Sequence, residues 1–337
     1  MAGTGTAHLR DDALLEVEDL VVEYRGRKHT VHAVSGVSLD VRAGETLGLV
    51  GESGCGKSTM GRAILRLQEP TAGSVRLDGI SLGELGPEEM RRLRPRLQLV
   101  FQDPISSLNP RRSVFDIVAE PLRIWGWDET RIRARVRELL DAVGLDADLV
   151  GDRKAHQFSG GQCQRISIAR ALALEPDVLV CDEPVSALDV SVQAQILAVL
   201  HDLRERLDLT MLMIAHDLAV VRNVSDRVAV MYLGKLCEVG DTEELYARPA
   251  HPYTATLLAA VPVPDPEVAP PHLPIPGELP SPANPPSGCR FRTRCPLAQP
   301  RCAEEEPTMQ RVGPGHHVAC HYPLRGGEGL PEAPDAG

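Results

Sequence analysis

The chain has 337 residues, 43% of them hydrophobic and 25% charged, with a net charge of −11. That leaves room for two domains of about 150 residues each, in a composition ordinary for globular proteins. The acidic balance argues against a general nucleic-acid binder, which would be basic. No apolar run approaches the roughly 20 residues of a membrane span, and residues 1–12 lack the charged-then-apolar pattern of a signal peptide. A cytoplasmic chain is therefore expected, touching a membrane only through partners.

Leu15, Val17, Leu20 and Val22, then Val31, Ala33, Val37, Leu39 and Val41, alternate with polar positions. Gly36 and Gly44 punctuate them, which predicts antiparallel strands over residues 14–50. Tyr24, on this stretch, reads either as a stacking platform for adenine or as a half-buried strand tyrosine. Aromatics are only 3% of the chain, so an aliphatic core is expected.

Residues 46–50 read as a buried strand, and Met60, Ala63, Ile64 and Leu67 recur at helical spacing. Between them, Gly51-Glu52-Ser53-Gly54-Cys55-Gly56-Lys57-Ser58-Thr59 fits G-x-x-x-x-G-K-[ST], the phosphate-binding loop. Its glycines let backbone N–H groups point inward at a polyphosphate, and the helix N-terminus adds partial positive charge. Lys57 reaches the outer phosphates and Ser58 is placed to ligate Mg²⁺. This stretch predicts a nucleoside triphosphate site.

Residues 73–79 read as a small strand and turn. Residues 97–102 predict a strand ending on Gln102, whose amide is a candidate to orient water or Mg²⁺ but is a weak signal alone. Pro104, Pro110 and Pro121 break the next stretch, and residues 131–143 form a charged amphipathic helix closed by Gly144. Together these predict a helical insertion over residues 104–157. Phe158-Ser159-Gly160-Gly161-Gln162 then opens another helix, with Ser159 as its N-cap and a second anion-binding end.

Residues 178–183 predict an apolar strand ending in Asp182 and Glu183. Alternation along the strand would send the two carboxylates different ways, one to a metal's water shell and one to a water attacking a phosphate. A helix is expected from Ser186, through Asp189, to Leu200. Residues 211–217 predict a further buried strand with His216 at its exit, the edge of a parallel sheet where α/β proteins bind ligands. Residues 227–231 and 236–239 look like a hairpin, residues 242–246 a short helix, and residues 261–286 a proline-dense linker.

Of eight cysteines, Cys289, Cys295, Cys302 and Cys320 crowd the C-terminal stretch, separated by five, six and seventeen residues. In a reducing compartment such a group suggests a metal site rather than a disulfide frame. It lacks the tight C-x2-C pairs of zinc ribbons, and four thiolates suit zinc or an iron–sulfur cluster comparably; free thiols are the third reading.

Taken together, these motifs resemble the ATP-binding subunit of an ABC transporter over about residues 14–260. Residues 51–59 match Walker A, Gln102 the Q-loop, residues 158–162 the signature motif with Phe158 for the usual Leu, residues 178–183 Walker B, residues 186–189 the D-loop and His216 the switch histidine. Tyr24 takes the adenine-stacking place. Cys163 departs from the pattern, where Arg is usual, at a position expected to face helix packing. Phe101-Gln102-Asp103-Pro104 with Ser107-Leu108-Asn109-Pro110, residues 191–195, and His251-Pro252-Tyr253-Thr254 followed by residues 261–266 are similar to the oligopeptide/dipeptide importer subfamily. The last string is closer to its F-type than its D-type subunit.

The resemblance implies an α/β fold: a P-loop, RecA-like ABC ATPase core with an antiparallel β-subdomain and a helical subdomain (about 104–175), plus a Cys-rich C-terminal extension. It divides the chain into a nucleotide-binding domain (1–260), a linker (261–288) and a metal-binding extension (289–337). It implies a head-to-tail ATPase dimer with a second ABC subunit, a D-type homologue, in which Ser159–Gln162 of one copy completes the ATP cage of the other. Two transmembrane permeases and, indirectly, an extracytoplasmic substrate-binding protein would be the other partners, at the cytoplasmic face of the membrane, with no nucleic acid involved. Glu183 would be general base or water-orienting group, His216 and Gln102 γ-phosphate and Mg²⁺ sensors, Lys57 a charge neutraliser, and Ser58 and Asp182 metal ligands. The subfamily's [4Fe–4S] cluster would sit on Cys289, Cys295, Cys302 and Cys320, with Zn²⁺ the alternative. Nickel importers share much of this pattern, and a soluble ABC ATPase is a more distant alternative.

Overall fold

The alternating N-terminal run folds into two long antiparallel strands, β1 (Ala13–Arg25) and β2 (Thr30–Arg42), with Val17 opposite Leu39 and Tyr24 opposite Val31. The computed structural model describes residues 5–27, 29–261 and 277–325. Its chain divides into one unit comprising Met1–Arg42, Thr46–Glu84 and Ala215–Gly337, and a second comprising Ala43–Glu45 and Leu85–Ile214.

In the first unit, Leu15, Val17, Leu20 and Val22 are fully buried, as a half-buried strand requires. The chain continues through β3 (Thr46–Val50), α1 (Lys57–Ile64), β4 (Ala72–Leu77) and β5 (Ile80–Ser81). Strands β2, β1, β4 and β5, in that order, make an antiparallel sheet. Helix α1 stops at Ile64, so Leu67, expected on its buried face, lies beyond it and is 54% exposed.

The second unit holds α2 (Pro87–Leu93), β6 (Leu97–Val100), α3 (Pro104–Ser107), α4 (Val114–Ile124), α5 (Glu129–Ala142), α6 (Ala147–Val150), α7 (Gly160–Ala171), β7 (Val178–Asp182), α8 (Val190–Leu207) and β8 (Thr210–Ala215). Strands β6, β7 and β8 run parallel. Pro121, expected to break the chain, lies inside α4. A helix-interior proline costs about 3 kcal/mol. Val114, Ile117, Val118 and Leu122 are buried on the same helix, at about 1.5–3 kcal/mol each, so packing wins. Helix α8 begins at Val190 with Asp189 as N-cap, later than Ser186, and runs past Leu200 to Leu207. The run 186–189 is turn because the Asp189 carboxylate accepts from the Val192 N–H at 3.0 Å and starts the helix there.

The chain returns to the first unit with α9 (Leu218–Arg222), β9 (Arg227–Tyr232), β10 (Lys235–Asp241), α10 (Thr242–Ala247), α11 (Pro252–Ala259), α12 (Arg301–Glu304), β11 (Gln310–Gly313) and β12 (His316–Val318). The expected hairpin is β9–β10, and β3 pairs parallel with β9. Residues 262–276 of the expected linker lie outside the described residues. The C-terminal segment joins the sheet: β12 pairs antiparallel with β10, and β11 with β12. An aliphatic core was expected throughout, yet Tyr232, Tyr253 and Phe291 pack together here, with ring centroids 4.8–5.2 Å apart. Scarce aromatics are concentrated where the segment docks.

His251 caps α11 from this core, its Nδ1 accepting the Tyr253 N–H at 3.0 Å. That bond needs an unprotonated Nδ1, and burial pushes the imidazole pKa down to about 4. Folding therefore lowers this pKa from its ordinary 6.5. The contribution is intact above pH 6.5 and is lost as pH falls toward 4, with about 2 kcal/mol gone at pH 5. Thermal melts should show the difference in Tm between pH 7 and pH 5 shrinking in His251→Asn, whose side chain can cap but not titrate.

Candidate active site

In the first unit the phosphate-binding loop links β3 to α1. Gly56 is the N-cap of α1 with φ +107°, a conformation open to glycine at little cost. A Cβ there would stand 2.1 Å from the Ala33 carbonyl oxygen. Lys57 is 4% exposed, and its ammonium donates to the Gly51 and Glu52 carbonyls at 2.7 and 3.1 Å, straddling the loop. Ser58 and Thr59 are half-buried on the first turn of α1, while Ser53 and Gly54 are exposed and Cys55 is buried. Tyr24 is 42% exposed on β1, enough for a ring face to stack. His216 is exposed just past β8.

In the second unit, Asp182 ends β7 and is 2% exposed. Glu183 is not the next strand residue: its φ is +47°, in the left-handed region. The chain turns at Glu183, so the alternation expected of a strand does not extend to it. That conformation costs a non-glycine residue about 1–2 kcal/mol, and such strain collects at functional sites. The Glu183 N–H donates to the Ile214 carbonyl at 3.0 Å, and the Ser186 hydroxyl donates to the Glu183 carbonyl at 3.1 Å. Strand β6 ends at Val100, so Gln102 sits in the following loop. Its Nε2 donates to Glu183 Oε2 at 3.0 Å, which unites two residues 81 positions apart.

Ser159 caps α7: its Oγ accepts the Gln162 N–H at 3.3 Å, and the Gln162 amide oxygen accepts the Ser159 N–H at 3.1 Å. This capping box fixes the start of the helix with Gly160 and Gly161 in its first turn. The Arg153 guanidinium lies 4.5 Å from the centroid of Phe158. Cys163 is buried, its thiol 3.6 Å from the Ala155 carbonyl, so it faces packing as expected.

Two residues at the loop escaped the sequence reading. The Tyr253 hydroxyl accepts the Glu52 N–H at 2.9 Å, and Arg294 pairs with the Glu52 carboxylate at 2.8 Å. Both lie more than 200 positions from the loop. Tyr253 lies within the His251-Pro252-Tyr253-Thr254 string and Arg294 just before Cys295, but neither position points to the loop.

The metal site expected at the C-terminal cysteines is not assembled among the described residues. Cys289, Cys295, Cys302 and Cys320 line one small recess, together with His251, Phe291 and Tyr322. Yet among the described residues no group of three or more His, Cys, Asp or Glu side chains is gathered to hold a metal ion. Burial raises the Cys289 thiol pKa and pushes Cys295 up to about 11 and Cys320 up to about 12, so without a bound metal these three groups rest as thiols.

Residues 34–186 match the ABC transporter family, and residues 237–302 match the C-terminal region of the oligopeptide/dipeptide transporter family. The chain is 53% identical to the oligopeptide transport ATP-binding protein YkfD of Bacillus subtilis, and 50% identical to OppF, the oligopeptide transport ATP-binding protein of Escherichia coli. Each alignment covers 91% of this chain and 95% of the relative. Among solved structures, cbiO1 of Clostridium perfringens, part of an ABC transporter complex, superposes with a TM-score of 0.64. It is 30% identical, over 70% of this chain and 92% of that one. The dimeric ATP-binding cassette MJ0796 bound to ADP and Pi gives 0.62 at 30% identity, over 68% and 98%.

A strand–loop–helix phosphate cradle, a carboxylate pair at the end of a parallel strand and these matches make one class: the chain belongs to the ABC transporter ATP-binding proteins and is an ATP-hydrolysing subunit. Within that class it is of the oligopeptide/dipeptide-transporter type. Among the described residues no helix is long and apolar enough to cross a membrane.

Proposed function

We propose that this chain powers the uptake of di- and oligopeptides by hydrolysing ATP at the cytoplasmic face of the cell membrane. It would work in a head-to-tail pair with a second ABC subunit of D-type, two permeases and, indirectly, an extracytoplasmic binding protein. The observation that carries the catalytic part is the Gln102–Glu183 hydrogen bond at the end of β7. It holds the carboxylate in place beside the end of β7, where it can orient a water and take its proton.

Phosphoryl transfer needs positioning and neutralisation of charge more than covalent chemistry. Loop residues 51–59 cradle the phosphates with backbone N–H groups, Lys57 offsets the γ-phosphate charge, and Tyr24 stacks on adenine. Glu183 orients the attacking water and takes its proton; His216 and Gln102 read the γ-phosphate. Ser159, Gly160, Gly161 and Gln162, with Asp189, serve the partner subunit's nucleotide. Ser58, Gln102 and Asp182 carry oxygen atoms, the hard donors Mg²⁺ prefers, and are the residues that would hold it. Mg²⁺ held there would neutralise the negative charge that develops during phosphoryl transfer.

Purifying the tagged chain with its neighbours tests the assignment. Two permeases and a second ATPase should accompany it, and a peptide-loaded binding protein should raise ATP turnover. Stimulation by a nickel-loaded binding protein alone would favour the nickel-importer reading.

A second reading concerns the cysteines. Cys289, Cys295, Cys302 and Cys320 line one recess, and on the resemblance to the importer subfamily they would hold a [4Fe–4S] cluster, with Zn²⁺ the alternative. Such a group would supply a rigid cross-link within the segment. Anaerobically purified protein should then be brown, with absorbance near 400 nm that Cys302→Ser removes. Colourless protein without iron would return the four cysteines to plain thiols.

A further inference from the structure

We propose that the C-terminal segment is a working part of the ATP site, with Arg294 as a positioning residue that acts on the phosphate through Glu52. The inference rests on the phosphate loop binding ATP and adds a residue from outside the loop's own sequence.

Arg294 follows the aromatic Phe291 anchor, and its guanidinium is 8% exposed. It donates to the Glu52 carboxylate at 2.8 Å and to the Tyr232 hydroxyl at 3.3 Å. Glu52 is the second residue of the phosphate loop, and its carboxylate is 23% exposed. Its N–H goes to Tyr253 and its carbonyl to Lys57, so the residue is tied on three sides.

A second arginine of the segment reaches the loop from another direction. Arg290 donates to the Leu233 carbonyl, and the adjoining Gly234 N–H donates to the Cys55 carbonyl at 2.7 Å. The loop is thus gripped at residues 52 and 55 by elements that the segment itself secures.

The electrostatic consequence follows from charge. A carboxylate within the loop repels an incoming triphosphate unless a cation neutralises it, and partial burial reduces screening by solvent. Arg294 supplies that cation with a charge-assisted bond that also fixes the loop's direction. An exposed ion pair would be worth little; this one is largely covered and abuts the site where phosphate charge must be tolerated.

Equilibrium binding of MgATP to the full-length chain and steady-state turnover test the proposal. Arg294→Ala should weaken MgATP binding and raise the KM for ATP at least about fivefold, with a much smaller change in kcat. Adding Glu52→Gln to it removes the repelling charge and should bring the KM back to within about twofold of wild type. An anchor of purely structural value would show no such rescue, since the second change removes a partner without restoring the first. If Arg294→Ala proves too unstable to purify, Arg294→Gln, which keeps the stem beside Tyr232, makes the same comparison. An unchanged KM, or a double variant no better than the single one, overturns the proposal. Wild-type protein that fails to bind MgATP would instead overturn the nucleotide assignment itself.

Discussion

Glu183→Gln should bind ATP with an affinity within about threefold of wild type while its turnover falls by about two to four orders of magnitude. The size follows from losing a positioned general base, typically worth 10²–10⁴ in rate. The selectivity follows from geometry. Glutamine has the same length, and its side-chain oxygen can still accept from Gln102 Nε2, now 3.0 Å from the carboxylate. Neither does the backbone change: its N–H bond to Ile214 and its φ of +47° belong to the turn. What disappears is an oxygen able to take a proton from water. Nucleotide-binding titrations beside single-turnover hydrolysis separate the two effects. Turnover within threefold of wild type would remove Glu183 from its catalytic role and leave His216 as the next candidate.

Gly56→Ala should weaken nucleotide binding at least about 100-fold and destabilise the first unit by about 2–5 kcal/mol. Two costs add. At φ +107° an L-residue is strained, by about 1–2 kcal/mol. The new methyl would also stand 2.1 Å from the Ala33 carbonyl oxygen and 3.1 Å from Met231 Cε, and overpacking costs about 1–3 kcal/mol. The backbone oxygen cannot swing away without disturbing β2, so the loop must move, and its N–H groups lose their aim. Affinity for ATP should fall at least about 100-fold, equivalent to about 2.7 kcal/mol. Gly79→Ala is the matched control. Its φ is +74°, but nothing lies within 4 Å of the added carbon, so it pays for strain alone. Chemical denaturation and nucleotide titration of both variants check the comparison; equal losses would mean that conformational strain, not contact with Ala33, dominates.

The local structure around the candidate site is legible in the sequence because each motif is a local pattern. Residues 51–59 lie between a buried strand and a helix, Asp182 closes an apolar strand, and Ser159 with Gln162 forms a capping box. Hydrogen bonds across three or four residues, or an alternation of apolar side chains, suffice to specify such features. The errors arose where packing overrode local rules. Pro121 stays within a helix because one buried face outweighs its penalty. Glu183 leaves the strand pattern because the chain turns after Asp182 and the Ile214 carbonyl receives its N–H. The scarcity of aromatics gave no hint that Tyr232, Tyr253 and Phe291 would meet in one cluster.

By itself, the sequence determined which strands, turns and helix caps the chain builds locally, and in what order it offers the residues of the candidate site. Tertiary structure alone decided that Gln102 reaches Glu183 across 81 positions and that Arg294 reaches Glu52 across 242. The physical reason is that such pairs have no short-range signature. A hydrogen bond between distant residues exists only after strands have paired and a core has closed around them, so its partners are selected by the whole fold.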